Sequence, residues 1–183
     1  MSAYVDESMD KYIEGDSLNW KNWMSVLSIT SCKDCKDNHG KIYGIQEMPI
    51  DHIPRHLRCV CRIVQMRTKS AGTATNKGIN GADWYLAYYG FLPDEYISKK
   101  HARKAGWKNK KGNLAEILPS KQIGGDEYFN DNGKLPQKNN RIWYEADINY
   151  ESGYRNNSRI LYSNDGLIFL THDHYKTFYE ITR

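Results

Sequence analysis

The chain has 183 residues, 39% of them hydrophobic and 13% aromatic, and a formal net charge of +4. That is enough apolar material for one or two globular cores and excludes a disordered polyelectrolyte, while the charge excess is far too small to hold the chain on nucleic acid by itself. No stretch approaches the roughly 18 apolar residues of a membrane span, and the N-terminal MSAYVDESMDKYIEGD is acidic where a signal peptide is basic and then apolar.

All four cysteines, Cys32, Cys35, Cys59 and Cys61, fall in the first third of the chain, an asymmetry that suggests two modules. Between them RTKSAGTATNKGING, from Arg67 to Gly81, has Ile79 as its single large apolar residue and the composition of a flexible linker. The predicted organisation is a small cysteine-rich module over 1–66, a linker over 67–80 and a second module over 81–183.

In the first module, DSLNWKNWMSVLSIT sets Trp20, Trp23, Met24 and Leu27 at helical spacing. Its later part, with Val26, Leu27 and Ile29, equally fits a strand, and both readings stand. CKDCKDNHGKIYG and PRHLRCVC then present a Cys-x-x-Cys and a Cys-x-Cys pair near His39, His52 and His56. Close thiolate pairs on turn-rich backbone suit tetrahedral zinc, and a module with a thin core gains most from such a staple. Cys32, Cys35, Cys59 and Cys61 are therefore the expected ligands of a structural zinc. Two disulfides, or unligated thiols, are the alternatives, and the histidines read equally as polar turn residues.

The second module reads helix first. Residues 82–89 are rich in alanine, leucine and aromatics; LPDEYISKKHARKAGW predicts a helix with Ser98 as N-cap and Gly106 as stop; GNLAEILPS predicts a third, short one between Asn113 and Pro119. The basic run from Lys99 to Gly112 reads chiefly as a solvated helix face. Period-two alternation follows in RIWYEADI, SRILYS, LIFLT and TFYEIT. Helices followed by an antiparallel meander predict an α+β fold, the N-terminal helices packed on one face of the antiparallel sheet and the other face open.

In RIWYEADI, alternation sets Trp143, Glu145 and Asp147 against Tyr144, Ala146 and Ile148, and in SRILYS it sets Arg159 and Leu161 against Ile160 and Tyr162. Glu145 and Arg159 are thus expected on the solvent face, approached by Arg155 and by THDHY at the end of the next strand. One carboxylate, two guanidiniums and a histidine are the parts of a metal-free phosphodiester cleavage site. From the pattern alone, surface ion pairs across the strands are the first reading.

Two resemblances extend these readings. The Cys-x-x-Cys, His-Gly-Lys and Pro-x-His-x-x-Cys-x-Cys motifs, over about residues 20–65, resemble the phage Mu protein F-like minor head proteins, which implies a phage-derived carrier module without catalysis of its own. From about Gly81 onward, LPDEYISK, AGW, KGNLAE, IGGD, GKLP, EADINY, SGYRN, RILYS and DHY resemble the barnase family of bacterial ribonucleases. That resemblance implies Glu145 as general base, His174 as general acid, and Lys99, Arg155 and Arg159 as the cations that hold the phosphate. It places Tyr175 beside the acid and Asp126 as a carboxylate setting the local field. His172 competes with His174 for the role of acid.

The base-binding loop departs from the family. It reads EYFNDNG, with Asn132 at the position of a glutamate and Asp131 where an arginine is usual, so strict guanine preference is in doubt. Tyr128 and Phe129 are candidates for stacking on a base, and Asn130, Asp131 and Asn132 complete the candidate loop. The expected protein is an endoribonuclease toxin acting on RNA in the bacterial cytoplasm, phage-associated or exported by a route without a signal peptide. It has no catalytic cofactor, and its expected partners are an acidic barstar-like immunity protein and phage head components. The alternative is a phage head structural protein whose C-terminal domain binds RNA or a partner without cutting.

Overall fold

The computed structural model describes residues 14–25, 31–47 and 59–183. Val26, Leu27, Ile29, His52 and His56, which entered the sequence reading, lie outside the described residues.

The tryptophan-rich segment forms a strand, β1 (Glu14–Met24). Trp20 and Trp23 are three apart, which in a strand places them on opposite faces, and each face is covered. Trp20 packs edge-on to Phe169 at 5.8 Å, while Trp23 is fully buried with Tyr43, Cys35 and Cys61. Helical spacing and strand alternation coincide here because both sides of the ribbon take an aromatic.

After α1 (Lys33–Asn38) and β2 (Ile42–Gly44) comes β3 (Arg62–Ser70), followed by α2 (Ala82–Tyr89), β4 (Tyr96–Ile97), α3 (Lys99–Lys104) and α4 (Leu114–Ile117). Five strands complete the chain: β5 (Gln122–Tyr128), β6 (Trp143–Asp147), β7 (Arg159–Ser163), β8 (Ile168–Thr171) and β9 (Tyr179–Thr182). Among the described residues, nine strands join one sheet in the order β2-β1-β3-β9-β8-β7-β6-β5-β4. The expected helices are present, with Ser98 Oγ accepting the His101 N–H at the start of α3 and Gly90 closing α2 in a left-handed conformation.

Residues 67–80, read as a linker from composition, hold the end of β3, a turn and a short 3₁₀ helix. β3 runs parallel to β9, with Thr68 opposite Glu180 and Ser70 opposite Thr182. The turn beyond is ordered by Asp83, a fully buried carboxylate that accepts from the N–H groups of Gly72 (2.7 Å) and Ala74 (2.9 Å) and the hydroxyl of Thr75 (2.8 Å). Small polar residues are what a carboxylate-capped turn needs, so its composition matches that of a flexible linker.

The expectation of an open sheet face is corrected by the structure. One face buries Ala146, Ile148, Ile160, Leu170 and Ile181 under Leu86 and Ala87 of α2, as expected. The other buries Trp143, Leu161 and Phe169 together with Met66, Ile42 and Leu135. Glu145 and Arg159, at 7% and 4% exposure, lie within that second covered face. The alternation of β6 and β7 is intact. What covers the face is the N-terminal segment and the 128–135 loop, which come from distant parts of the sequence.

Candidate active site

β6 and β7 pair so that Asp147 faces Arg159 and Glu145 faces Leu161. On the other side of β6, a bulge at Gly125 interrupts the pairing between Gly124/Ala146 and Asp126/Glu145. Gly125 has φ +84°, which an extra residue in a bulge commonly demands. The bulge sets the Asp126 carboxylate against the start of α3, where it accepts the backbone N–H of Lys99 at 2.8 Å. Lys99 then directs its Nζ onto Glu145 Oε1, and the Tyr175 hydroxyl donates to Oε2.

Burial disfavours an ionised Glu145, yet the hydrogen bonds from Lys99 and Tyr175 and the charges of Lys99 and Arg155 outweigh it, leaving the carboxyl below its ordinary range. Tyr175 moves the other way. Its burial, and then its bond to the Glu145 carboxylate, raise its pKa and keep the hydroxyl protonated as a donor.

The two arginines converge on Asp147, which is fully buried. Arg155 meets it with two bonds of 2.6 Å, and Arg159 Nε lies 2.9 Å from Oδ1 while its Nη1 donates to the carbonyls of Asn156 and Ser158 at 2.7 Å each. Sequence reading placed Asp147 only on the strand face. Its pairing role was signalled by its period-two spacing from Glu145 but needed the register to become specific.

β8 ends at Thr171, so His172 and His174 lie on a loop, a correction to their expected place on the strand. His174 and Tyr175 both adopt left-handed φ values, +56° and +66°. Asp173 between the histidines holds this conformation. Its carboxylate accepts from the hydroxyls of Thr171 (3.0 Å) and Thr177 (2.7 Å) and from the N–H groups of Lys176 (3.0 Å) and Thr177 (2.9 Å). Burial opposes its ionisation, but these bonds prevail and depress its pKa. This positioning carboxylate was not singled out from sequence. The His174 ring is exposed and packs 4.7 Å from the Tyr175 ring, while His172 Nδ1 lies 3.1 Å from Ser158 Oγ.

Within the 128–135 loop, Tyr128 stacks on Tyr175 with centroids 5.1 Å apart. Asn132 donates to the Tyr128 hydroxyl (3.3 Å) and accepts from the Lys134 N–H (3.2 Å). Asn130 is buried, with φ +51°, and its amide clasps both backbone groups of Leu135 at 3.0 Å. That side chain is used to shape the loop. Phe129, 72% exposed, and the exposed Asp131 point outward.

A groove beside His174 and Tyr175 is lined by Asn132 and Lys134 and, from the N-terminal segment, by Lys36 and Asp37. The segment also braces the histidine loop directly. A Cβ on Gly40 (φ +79°) would stand 1.7 Å from the Lys176 carbonyl oxygen, so only glycine permits this approach. Gly40→Ala is expected to displace the loop and lower kcat/KM on RNA by on the order of tenfold to a hundredfold, with circular dichroism unchanged. Unaltered kinetics would show that the brace does not set the histidine's position.

The profile of a family described as ribonuclease matches residues 84–182, a span that contains every group just described except those of the N-terminal segment. The chain is similar to a ribonuclease of Heyndrickxia coagulans, 53% identical over 102 residues, which is 56% of this chain and 94% of that protein. It is also 48% identical over 118 residues, 64% of this chain, to ribonucleases of Bacillus intermedius and Bacillus pumilus, covering 73% of each. With the profile spanning more than half of its length and the acidic and basic groups of the site inside the matched region, the chain belongs to the ribonuclease family.

Proposed function

We propose that this ribonuclease cuts within single-stranded RNA by transesterification, without a catalytic metal. Glu145 takes the proton of a ribose 2′-hydroxyl, the 2′-oxygen bonds to phosphorus, and the P–O5′ bond breaks as His174 gives its proton to the leaving oxygen. The products are a 2′,3′-cyclic phosphate and a free 5′-hydroxyl. Arg155, Arg159 and Lys99 supply positive charge to the phosphorane-like transition state. The observation that carries this reading is the Glu145 carboxylate held between Lys99 and Tyr175, two residues along β6 from the Asp147 that pairs both arginines and in direct contact with the tyrosine that follows His174. In the free protein Asp147 neutralises part of the arginine charge. An incoming phosphate would share both guanidiniums with it.

Purified protein is expected to cleave RNA in EDTA, to leave cyclic-phosphate ends and to spare DNA, which lacks the 2′-hydroxyl. Equal cutting of DNA, or activity only on addition of magnesium, would reject the mechanism. Base selection rests on the backbone of the 128–135 loop with Phe129 and Asp131, because Asn130 and Asn132 are engaged within the loop; a preference broader than guanine follows. The wider setting we propose is a toxin on a phage-derived module of the Mu F type, with a separate acidic immunity protein that covers Lys99, Arg155, Arg159 and the histidine loop.

A further inference from the structure

Outside the ribonuclease region the described residues hold one dense group of metal-binding side chains. The sulfur atoms of Cys35, Cys59 and Cys61 all lie within 4.8 Å of one another, and Cys35 and Cys61 are in contact at 3.2 Å. Four sulfurs at tetrahedral Zn–S distances of about 2.3 Å would be about 3.8 Å apart, so the Cys35–Cys61 pair would have to open by only about 0.6 Å around an ion. Cys32 stands beside it as the N-cap of α1, its Sγ accepting the N–H of Cys35 at 3.4 Å.

The surroundings suit a metal better than a set of reduced thiols. The apolar cluster here is small, built on Trp23 and Tyr43 with the cysteines themselves and Ile63. Ser25 Oγ donates to the Cys35 carbonyl at 2.8 Å and lies 3.0 Å from Cys61 Sγ. The Ser25 N–H is bound by His39 Nδ1 at 3.1 Å, which engages that imidazole nitrogen, and among the described residues the clustered ligand atoms are all sulfur. Such an outer layer orients thiolates around an ion.

We propose that Cys32, Cys35, Cys59 and Cys61 bind one zinc ion as a closed tetrathiolate site. The ion ties the entry of β3, through Cys59 and Cys61, to α1, through Cys32 and Cys35. Gly40, two residues beyond α1, packs on Lys176, so the site is a structural one that fixes the segment bracing the histidine loop. It takes no part in bond cleavage, and its existence does not depend on the mechanism proposed above.

Native mass spectrometry and elemental analysis of the chain as purified are expected to find one zinc per molecule, with four reactive thiols appearing after denaturation and chelation. Cobalt(II) reconstitution should give the intense visible bands of a tetrahedral site and a strong thiolate charge-transfer band. Cys59→Ser should lose stoichiometric zinc, and Ser25→Ala, which keeps every ligand, should weaken zinc affinity by about tenfold to a hundredfold. Two disulfides with no metal, four thiols with no metal, or zinc retained in a Cys35→Ser/Cys61→Ser double variant would each overturn the assignment.

Discussion

Glu145→Gln is expected to lower kcat by about a hundredfold or more, the usual contribution of a positioned base. The substitution preserves shape and one acceptor for Tyr175 or Lys99, so chemistry is tested with little change in packing. Glu145→Ala is a harsher test because the side chain is buried against Lys99 and Tyr175, and it leaves an ammonium group without its counter-ion. A thermal melt accompanies each variant to separate lost catalysis from lost structure. A variant that folds normally and keeps more than a tenth of the wild-type kcat would remove Glu145 from the role of base.

The pH dependence follows from the direction of the Glu145 shift. A base must be ionised, and its carboxyl is held below the ordinary range, so the acidic limb of kcat/KM should fall below the usual carboxylate values and disappear in Glu145→Gln. The same shift contributes stability. A carboxyl with a lowered folded-state pKa stabilises the fold fully above its unfolded value, and that contribution is lost as pH falls through the folded value. Acid denaturation of Glu145→Gln should therefore begin from a less stable state at neutral pH and show a shallower loss on acidification.

His174→Ala is the second large effect, again about a hundredfold or more in kcat, with His172→Ala staying within a few-fold of the parent. The two histidines are separated by Asp173, and the loop gives them different neighbours. His174 precedes the tyrosine bound to Glu145 and opens onto the groove of Lys134 and Lys36, whereas His172 is set against Ser158 and the Tyr179 ring. A substrate with a good leaving group needs little protonation by an acid, so the His174→Ala defect should shrink on an activated phosphodiester while the Glu145→Gln defect persists. Inactivation by His172→Ala with His174→Ala intact would reverse the acid assignment and leave the fold and family as described.

Much of this molecule could be read from local order. Ser98 and Gly106 bound a helix, period-two alternation marks β6 to β9, and the same alternation puts Glu145, Asp147 and Arg159 on one side of the sheet. These features depend on neighbours a few residues apart, where spacing and propensity act directly. The clustered cysteine pairs were likewise visible, because the thiol is a distinctive ligand and the spacing is short.

Other features depended on partners far away in the chain. β5 was not predicted: Gly124 and Gly125 weaken its pattern, and its identity comes from pairing with β6 and from the bulge that aims Asp126 at Lys99. Trp20 and Trp23 fit two periods until β1 found β3 and Phe169. The composition of 67–80 resembled a linker because Asp83, the carboxylate that orders it, lies outside the segment. By itself, then, the sequence determined the Ser98 helix cap, the alternating strands β6 to β9 and the set of ionisable groups, all products of short-range geometry. Only the tertiary structure decided that the face carrying Glu145 is covered, that Asp147 gathers both arginines and that Gly40 braces the histidine loop. Burial and charge pairing are set by whichever distant residues arrive at a site, and no local pattern encodes their arrival.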